Sequence, residues 1–107
     1  MGTPFITLFD IRVSTMNLLE TADYVEDIIA KRTPHQIITI NPIMMMEGLR
    51  NPEFARVLKQ ADLNVPDGAG VVWAAKFAGK PVSERVAGID LMHELMKRGD
   101  RKAYRVF

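Results

Sequence analysis

Two short stretches carry the polar groups best placed for chemistry: Thr39-Ile40-Asn41-Pro42 and Val65-Pro66-Asp67-Gly68-Ala69-Gly70. Each follows an apolar run short enough to be a buried strand, and each puts polar residues where that strand would end and a helix begin. In an open parallel α/β sheet, ligands settle beyond the carboxyl ends of the strands, because helix N-termini and loop side chains converge there. Asp67, beside flexible glycines, can reach a bound hydroxyl and act as general base; Asp-Gly is also ordinary turn chemistry. Thr39 and Asn41 offer a hydroxyl and an amide suited to a sugar's hydroxyl or acetamido groups, and simple helix capping would use the same atoms. Arg85 stands in a polar loop from which a guanidinium can grip an anion with two parallel bonds, although a lone loop arginine is commonly just solvated. Gly68 and Gly70 leave backbone N–H groups available to an anion at the next helix start.

Other chemistries find less support in the spacing. Gly68-Ala69-Gly70 begins like a dinucleotide fingerprint, but Trp73 stands where a third glycine would allow close helix–strand packing. His93-Glu94 falls short of a zinc helix because position 97 is Lys, and His35 has no ligand partner at a readable spacing. No Asp-x-Asp pair of the kind that holds a metal on a nucleotide-sugar diphosphate occurs. Neither a metal nor a cofactor is expected. Met44-Met45-Met46 suits either an adaptable contact surface or core filling.

The elements that must position these residues follow from periodicity. Phe5 to Phe9 reads as a strand, with Ile11 and Val13 continuing its pattern past Asp10. Asn17 with Glu20 forms a capping-box signature ahead of a helix to about Lys31. Gln36 to Ile40 is a β-branched run for a central strand, ended by Asn41-Pro42. Short helices from Pro42 to about Leu49 and, after the Asn51-Pro52 cap, to about Gln60 lead to a strand at Leu63 to Val65. Val71 to Ala78 continues as an apolar helix ended by Gly79, and Ile89 to Met96 outlines another closed by Gly99, with Asp90 in its first turn. Ala103 to Phe107 begins a further strand. The order β-α-β-α-α-β-α-α-β predicts one Rossmann-like layered α/β domain over residues 1–107, its mainly parallel sheet flanked by helices.

Bulk properties narrow the function classes. The chain has 107 residues with 14 Lys plus Arg against 13 Asp plus Glu, so it lacks the basic footprint that nucleic acid requires. The absence of cysteine excludes a disulfide scaffold and thiolate zinc sites and fits the cytoplasm. No apolar stretch approaches the length of a membrane span, so any membrane contact is expected to be peripheral.

Taken in order, these pieces resemble the TagA/WecG/CpsF family of bacterial glycosyltransferases. The resemblance rests on Thr39-Ile40-Asn41-Pro42, Ala61-Asp62-Leu63 to Val65-Pro66-Asp67-Gly68, Gly70-Val71-Val72 and Arg85-Val86-Ala87-Gly88-Ile89-Asp90, with Phe9 to Val13 as the opening. It implies transfer of an N-acetylhexosamine, typically N-acetylmannosamine, from a UDP donor to a polyprenyl-diphosphate-linked N-acetylglucosamine, with inversion and without a required metal, in the synthesis of teichoic acid or related surface polysaccharides. It further implies Asp67 as base, Thr39 and Asn41 as amino-sugar contacts, and Arg85 as an aid to binding or catalysis. Members of the family continue beyond the position of Phe107 and attach to the membrane through a C-terminal appendage. The chain is thus expected to be an N-terminal portion, with an open apolar edge at Phe107 that favours homo-oligomerisation. The alternative reading is a non-catalytic α/β sugar-binding or oligomerisation module.

Overall fold

The structure is a computed structural model and describes residues 5–67, 69–77, 79 and 86–106. Strands β1 (Phe5–Leu8) and β2 (Ile11–Ser14) form an antiparallel hairpin in the register Phe5↔Ser14 to Leu8↔Ile11. The sequence pattern predicts one strand running on through Asp10. Instead Phe9 and Asp10 both adopt positive φ, 50° and 64°, and reverse the chain in two residues, a geometry whose twist suits a tight hairpin. The two-residue turn shifts the inward-facing set from Ile6 and Leu8 to Ile11 and Val13, so Leu8 and Ile11 are buried opposite one another. Neither turn residue is the glycine that would have announced the turn.

Helix α1 (Leu18–Ala30) begins with the predicted reciprocal cap: Asn17 Oδ1 accepts from Glu20 N at 2.9 Å, and Glu20 Oε1 accepts from Asn17 N at 3.0 Å. Strand β3 (Ile37–Ile40) is followed by α2 (Pro42–Arg50) and α3 (Pro52–Gln60), each with an asparagine cap and a proline in its first position. Strand β4 (Leu63–Pro66) then pairs in parallel with β3, from Ile37↔Leu63 to Ile40↔Pro66. Helices α4 (Ala69–Phe77) and α5 (Gly88–Lys102) complete the described elements.

The parallel pair separates two apolar clusters. Ile40 faces Leu8, Ile11, Met45, Leu58 and Val71, joining the hairpin to α2, α3 and α4. Leu63 and Val65 face Met16, Ala22, Val86 and Leu91, joining β4 to α1 and α5. The α/β layering with helices on both faces is therefore present. Its sheet is smaller than expected: one parallel pair and one antiparallel hairpin among the described residues. Buried Asn64 links them, its Nδ2 donating to Arg12 O of β2 at 3.0 Å and to Leu58 O at the end of α3 at 2.8 Å.

The C-terminal stretch corrects two expectations. Helix α5 does not close at Gly99 but runs on to Lys102, and Ala103 takes the left-handed cap conformation at φ 57°. The stretch from Ala103 to Val106 is not a strand, and Phe107 lies outside the described residues. Tyr104 folds back over α5: its N donates to Gly99 O at 3.0 Å, and a Cβ on Gly99 would meet the Tyr104 side chain at 3.3 Å. Gly99 is thus a seat for an aromatic ring rather than a helix stop.

Candidate active site

Parallel pairing brings the ends of β3 and β4 side by side, and the groups flagged in the sequence gather there. Asp67 N donates to Ile40 O at 2.8 Å, which carries the ladder one residue beyond β4. Asn41 Oδ1 accepts from Met44 N at 2.9 Å, so its carbonyl oxygen serves as the α2 cap. Asn41 therefore does what capping demands, and only its amide nitrogen is left for recognition of a ligand. Thr39 sits one position before the end of β3, half-buried.

The decisive arrangement joins residues that the sequence keeps far apart. Val86 N donates to Pro66 O at 2.8 Å and guides the chain into α5 along the end of β4. Ala87, in the cap position of α5, has no side chain able to cap it, and Asp67 supplies the acceptor instead: Gly88 N donates to Asp67 Oδ2 at 3.2 Å. A Cβ built on Gly88 would lie 3.0 Å from Thr39 Cγ2 and 3.4 Å from Asp67 Oδ2. Thr39, Asp67 and Gly88 therefore form one cluster, packed tightly enough that a Cβ at Gly88 would press on Thr39. The sequence motif that contains Gly88 gives no sign of a site role for it. Its φ is not left-handed, so close approach rather than turn geometry is what calls for glycine here.

Gly70 has a comparable constraint of a different kind. A Cβ there would lie 2.8 Å from Pro42 Cγ, so the first turns of α2 and α4 touch through a proline ring and a glycine. As a result the N-termini of α2, α4 and α5 meet at one edge of the sheet. Each brings a positive dipole end there, an arrangement suited to a negatively charged ligand. Gly68 and Arg85 lie outside the described residues. His35 is engaged elsewhere, at the opposite end of the strands, bridging Thr33 Oγ1 at 2.6 Å and Asp62 Oδ1 at 2.9 Å.

Comparison with known proteins gives the family of the chain. The glycosyl transferase WecG/TagA/CpsF family matches residues 6–107. The chain belongs to this family. Among curated relatives, an N-acetylglucosaminyldiphosphoundecaprenol N-acetyl-beta-D-mannosaminyltransferase of Bacillus spizizenii is 45% identical over 71 residues, which is 66% of this chain and 28% of the relative. A protein of the same name from Bacillus subtilis is 28% identical over 102 residues, 94% of this chain and 40% of the relative. A third, from Staphylococcus aureus, is 24% identical over 108 residues, 99% of this chain and 42% of the relative. The chain thus spans well under half the length of the curated relatives it matches. In this WecG/TagA/CpsF member, no helix among the described residues is long and apolar enough to cross a membrane.

Proposed function

We propose that this chain forms the amino-sugar and base side of an inverting glycosyltransferase site. In this reading an N-acetylhexosamine, N-acetylmannosamine in the first instance, passes from a UDP donor to N-acetylglucosamine linked through diphosphate to a polyprenol, in the synthesis of a cell-surface polymer. The observation that carries the reading is the convergence of Thr39, Asp67 and Gly88 at the carboxyl edge of β3 and β4 in a member of this family.

The chemistry follows from that placement. Asp67 takes the proton from the acceptor hydroxyl as that oxygen attacks the donor's anomeric carbon, and the UDP diphosphate leaves from the opposite face. Attack from one face and departure from the other inverts the anomeric centre and needs a single base on the attacking side. The Gly88 N–H fixes Asp67 Oδ2 and with it the orientation of the carboxylate plane. Thr39 Oγ1 and the Asn41 amide nitrogen bind the acetamido sugar, Arg85 holds an anionic group of donor or acceptor, and the helix start at Gly70 favours the diphosphate. The site works at the cytoplasmic membrane face, where a polyprenyl acceptor is presented.

The test uses a hybrid in which this chain replaces the matching part of the longer Bacillus subtilis relative, which aligns over 94% of it. Transfer of labelled N-acetylhexosamine epimers to a short-chain N-acetylglucosaminyl-diphosphoprenol is measured. Thr39→Val should weaken donor use by about 1–3 kcal/mol through an unpaired polar partner. Because Asn41 caps α2, Asn41→Ser is the informative change there: it keeps a capping oxygen and removes the amide donor. Unchanged kinetic constants in both variants would place the sugar elsewhere and favour the binding-module reading.

A further inference from the structure

An apolar groove of about 180 Å³ lies between α2 and α4. Buried Met45 and Val71 form its floor, and Met46, Leu49, Ala74 and Phe9 of the hairpin turn line it further out. None of its lining residues carries a charge. The groove includes Pro42 and Gly70, the pair that joins the first turns of α2 and α4 at the carboxyl edge. From Pro42 to Leu49 it follows α2 away from that edge for about 10 Å. Met46 is 60% exposed and Leu49 56%, so the rim offers large apolar side chains to solvent. Methionine side chains adapt readily to a flexible, branched hydrocarbon.

We propose that this groove seats the first isoprene units of a polyprenyl-diphosphate acceptor. The inference rests on the transferase reading, which requires an acceptor with a polar diphosphate joined directly to a hydrocarbon chain. The surface has the same polarity change: helix N-termini suited to a diphosphate at Pro42 and Gly70, and an uncharged trough leading away from them. A diphosphate held at that edge would pass its chain straight into the groove. Burial of apolar carbon against Met45, Met46 and Leu49 then helps to hold the acceptor sugar near Asp67.

The experiment titrates the chain, carrying labelled methyl groups on methionine and threonine, with farnesyl diphosphate below its micellar concentration, and with inorganic diphosphate as control. The expected result is saturable shifts of the Met45 and Met46 methyl resonances with farnesyl diphosphate and none with diphosphate. Met92 and Met96 on α5, each 51% exposed, should stay unmoved and so report against indiscriminate adsorption. Leu49→Glu should weaken farnesyl diphosphate binding about tenfold or more, because it sets a charge in an apolar trough, with an unchanged Tm; Met46→Gln, read at Met45, serves if that variant fails to fold. Equal movement of all four methionines, or shifts that follow protein concentration without lipid and so reveal a second copy on this face, would overturn the proposal. So would unaltered affinity in the variants. A parallel titration with UDP-N-acetylglucosamine, read at the Thr39 methyl, separates the two ideas. A Thr39 response without one at Met45 and Met46 removes the groove alone, whereas the reverse removes the transferase reading on which it rests.

Discussion

Two regions of this molecule concentrate charged or polar groups around α5, and they use them in opposite ways. At its C-terminal half, Arg98 binds Asp23 at 2.7 Å, Glu94 at 2.9 Å and Glu26 at 3.0 Å, and Glu26 also accepts from Lys102 at 2.9 Å and from the Tyr104 hydroxyl at 3.0 Å. Every charge there meets an opposite charge, and the cluster ties α1 to α5. At the N-terminus of the same helix, Asp67 meets a backbone N–H, Thr39 lies against a glycine, and three helix starts point at the same space. A dense set of titratable groups is thus a clamp when its members satisfy one another. A sparse set becomes a candidate site when backbone groups hold it and its side chains face an open edge.

The strongest way to break this comparison is to remove charge from each region in turn. Asp67→Asn keeps an oxygen able to accept from Gly88 N but removes the base, so in the hybrid enzyme turnover should fall by roughly 10²-fold or more while Tm stays nearly constant. Arg98→Met should do the reverse, lowering Tm because Asp23, Glu26 and Glu94 lose their shared cation, and leaving turnover intact. Thermal scans and single-turnover rates on both variants decide it. Retained turnover in Asp67→Asn would make Asp67 a capping residue only.

The two close-contact glycines sharpen the contrast. Gly70→Ala must push the Pro42 ring and the first turn of α2 aside, which should cost about 1–3 kcal/mol of stability in a denaturant titration. Gly88→Ala faces a milder approach to Thr39 and Asp67, so its main effect should be on turnover, about tenfold through misplacement of both groups. Equal effects of the two changes on stability and on rate would erase the distinction.

Acid titration probes the clamp. Hydrogen bonds from Lys102, then Tyr104 and Arg98, hold the Glu26 carboxyl below its ordinary range, and His35 followed by the Gln36 N–H does the same for Asp62. Both carboxyls bind protons less readily in the folded state. Their stabilising effect is therefore complete above the unfolded carboxylate pKa of about 4 and is lost as pH falls through their lower folded values. Tm should decline over that acid window, and Glu26→Gln or Asp62→Asn should flatten the decline. The smallest effect is expected at the end of α5. Ala103→Gly relieves left-handed backbone strain but loosens the unfolded chain, for a net gain of ~0.5 kcal/mol with no change in turnover.

What was legible in the sequence was whatever depends on near neighbours. The Asn17–Glu20, Asn41 and Asn51 caps, the proline starts of α2 and α3, and the strands Ile37 to Ile40 and Leu63 to Val65 could be read from local hydrogen-bonding chemistry and from the apolar pattern, and the helical connection between the two strands called for parallel pairing. The hairpin turn at Phe9 and Asp10 could not, since neither residue is a glycine and Phe9, Ile11 and Val13 also fit one unbroken alternation. The fold-back of Tyr104 onto Gly99 was hidden as well, because glycine near a helix end ordinarily signals a stop. Tertiary structure alone decided that Asp67 caps a helix 21 residues further on, that Gly88 fits between it and Thr39, and that Arg98 reaches Asp23 across 75 residues. Sequence patterns record periodicity and contacts within a few residues; which distant residues meet is set by how the two apolar clusters pack against the strand pair, and periodicity carries no information about that choice.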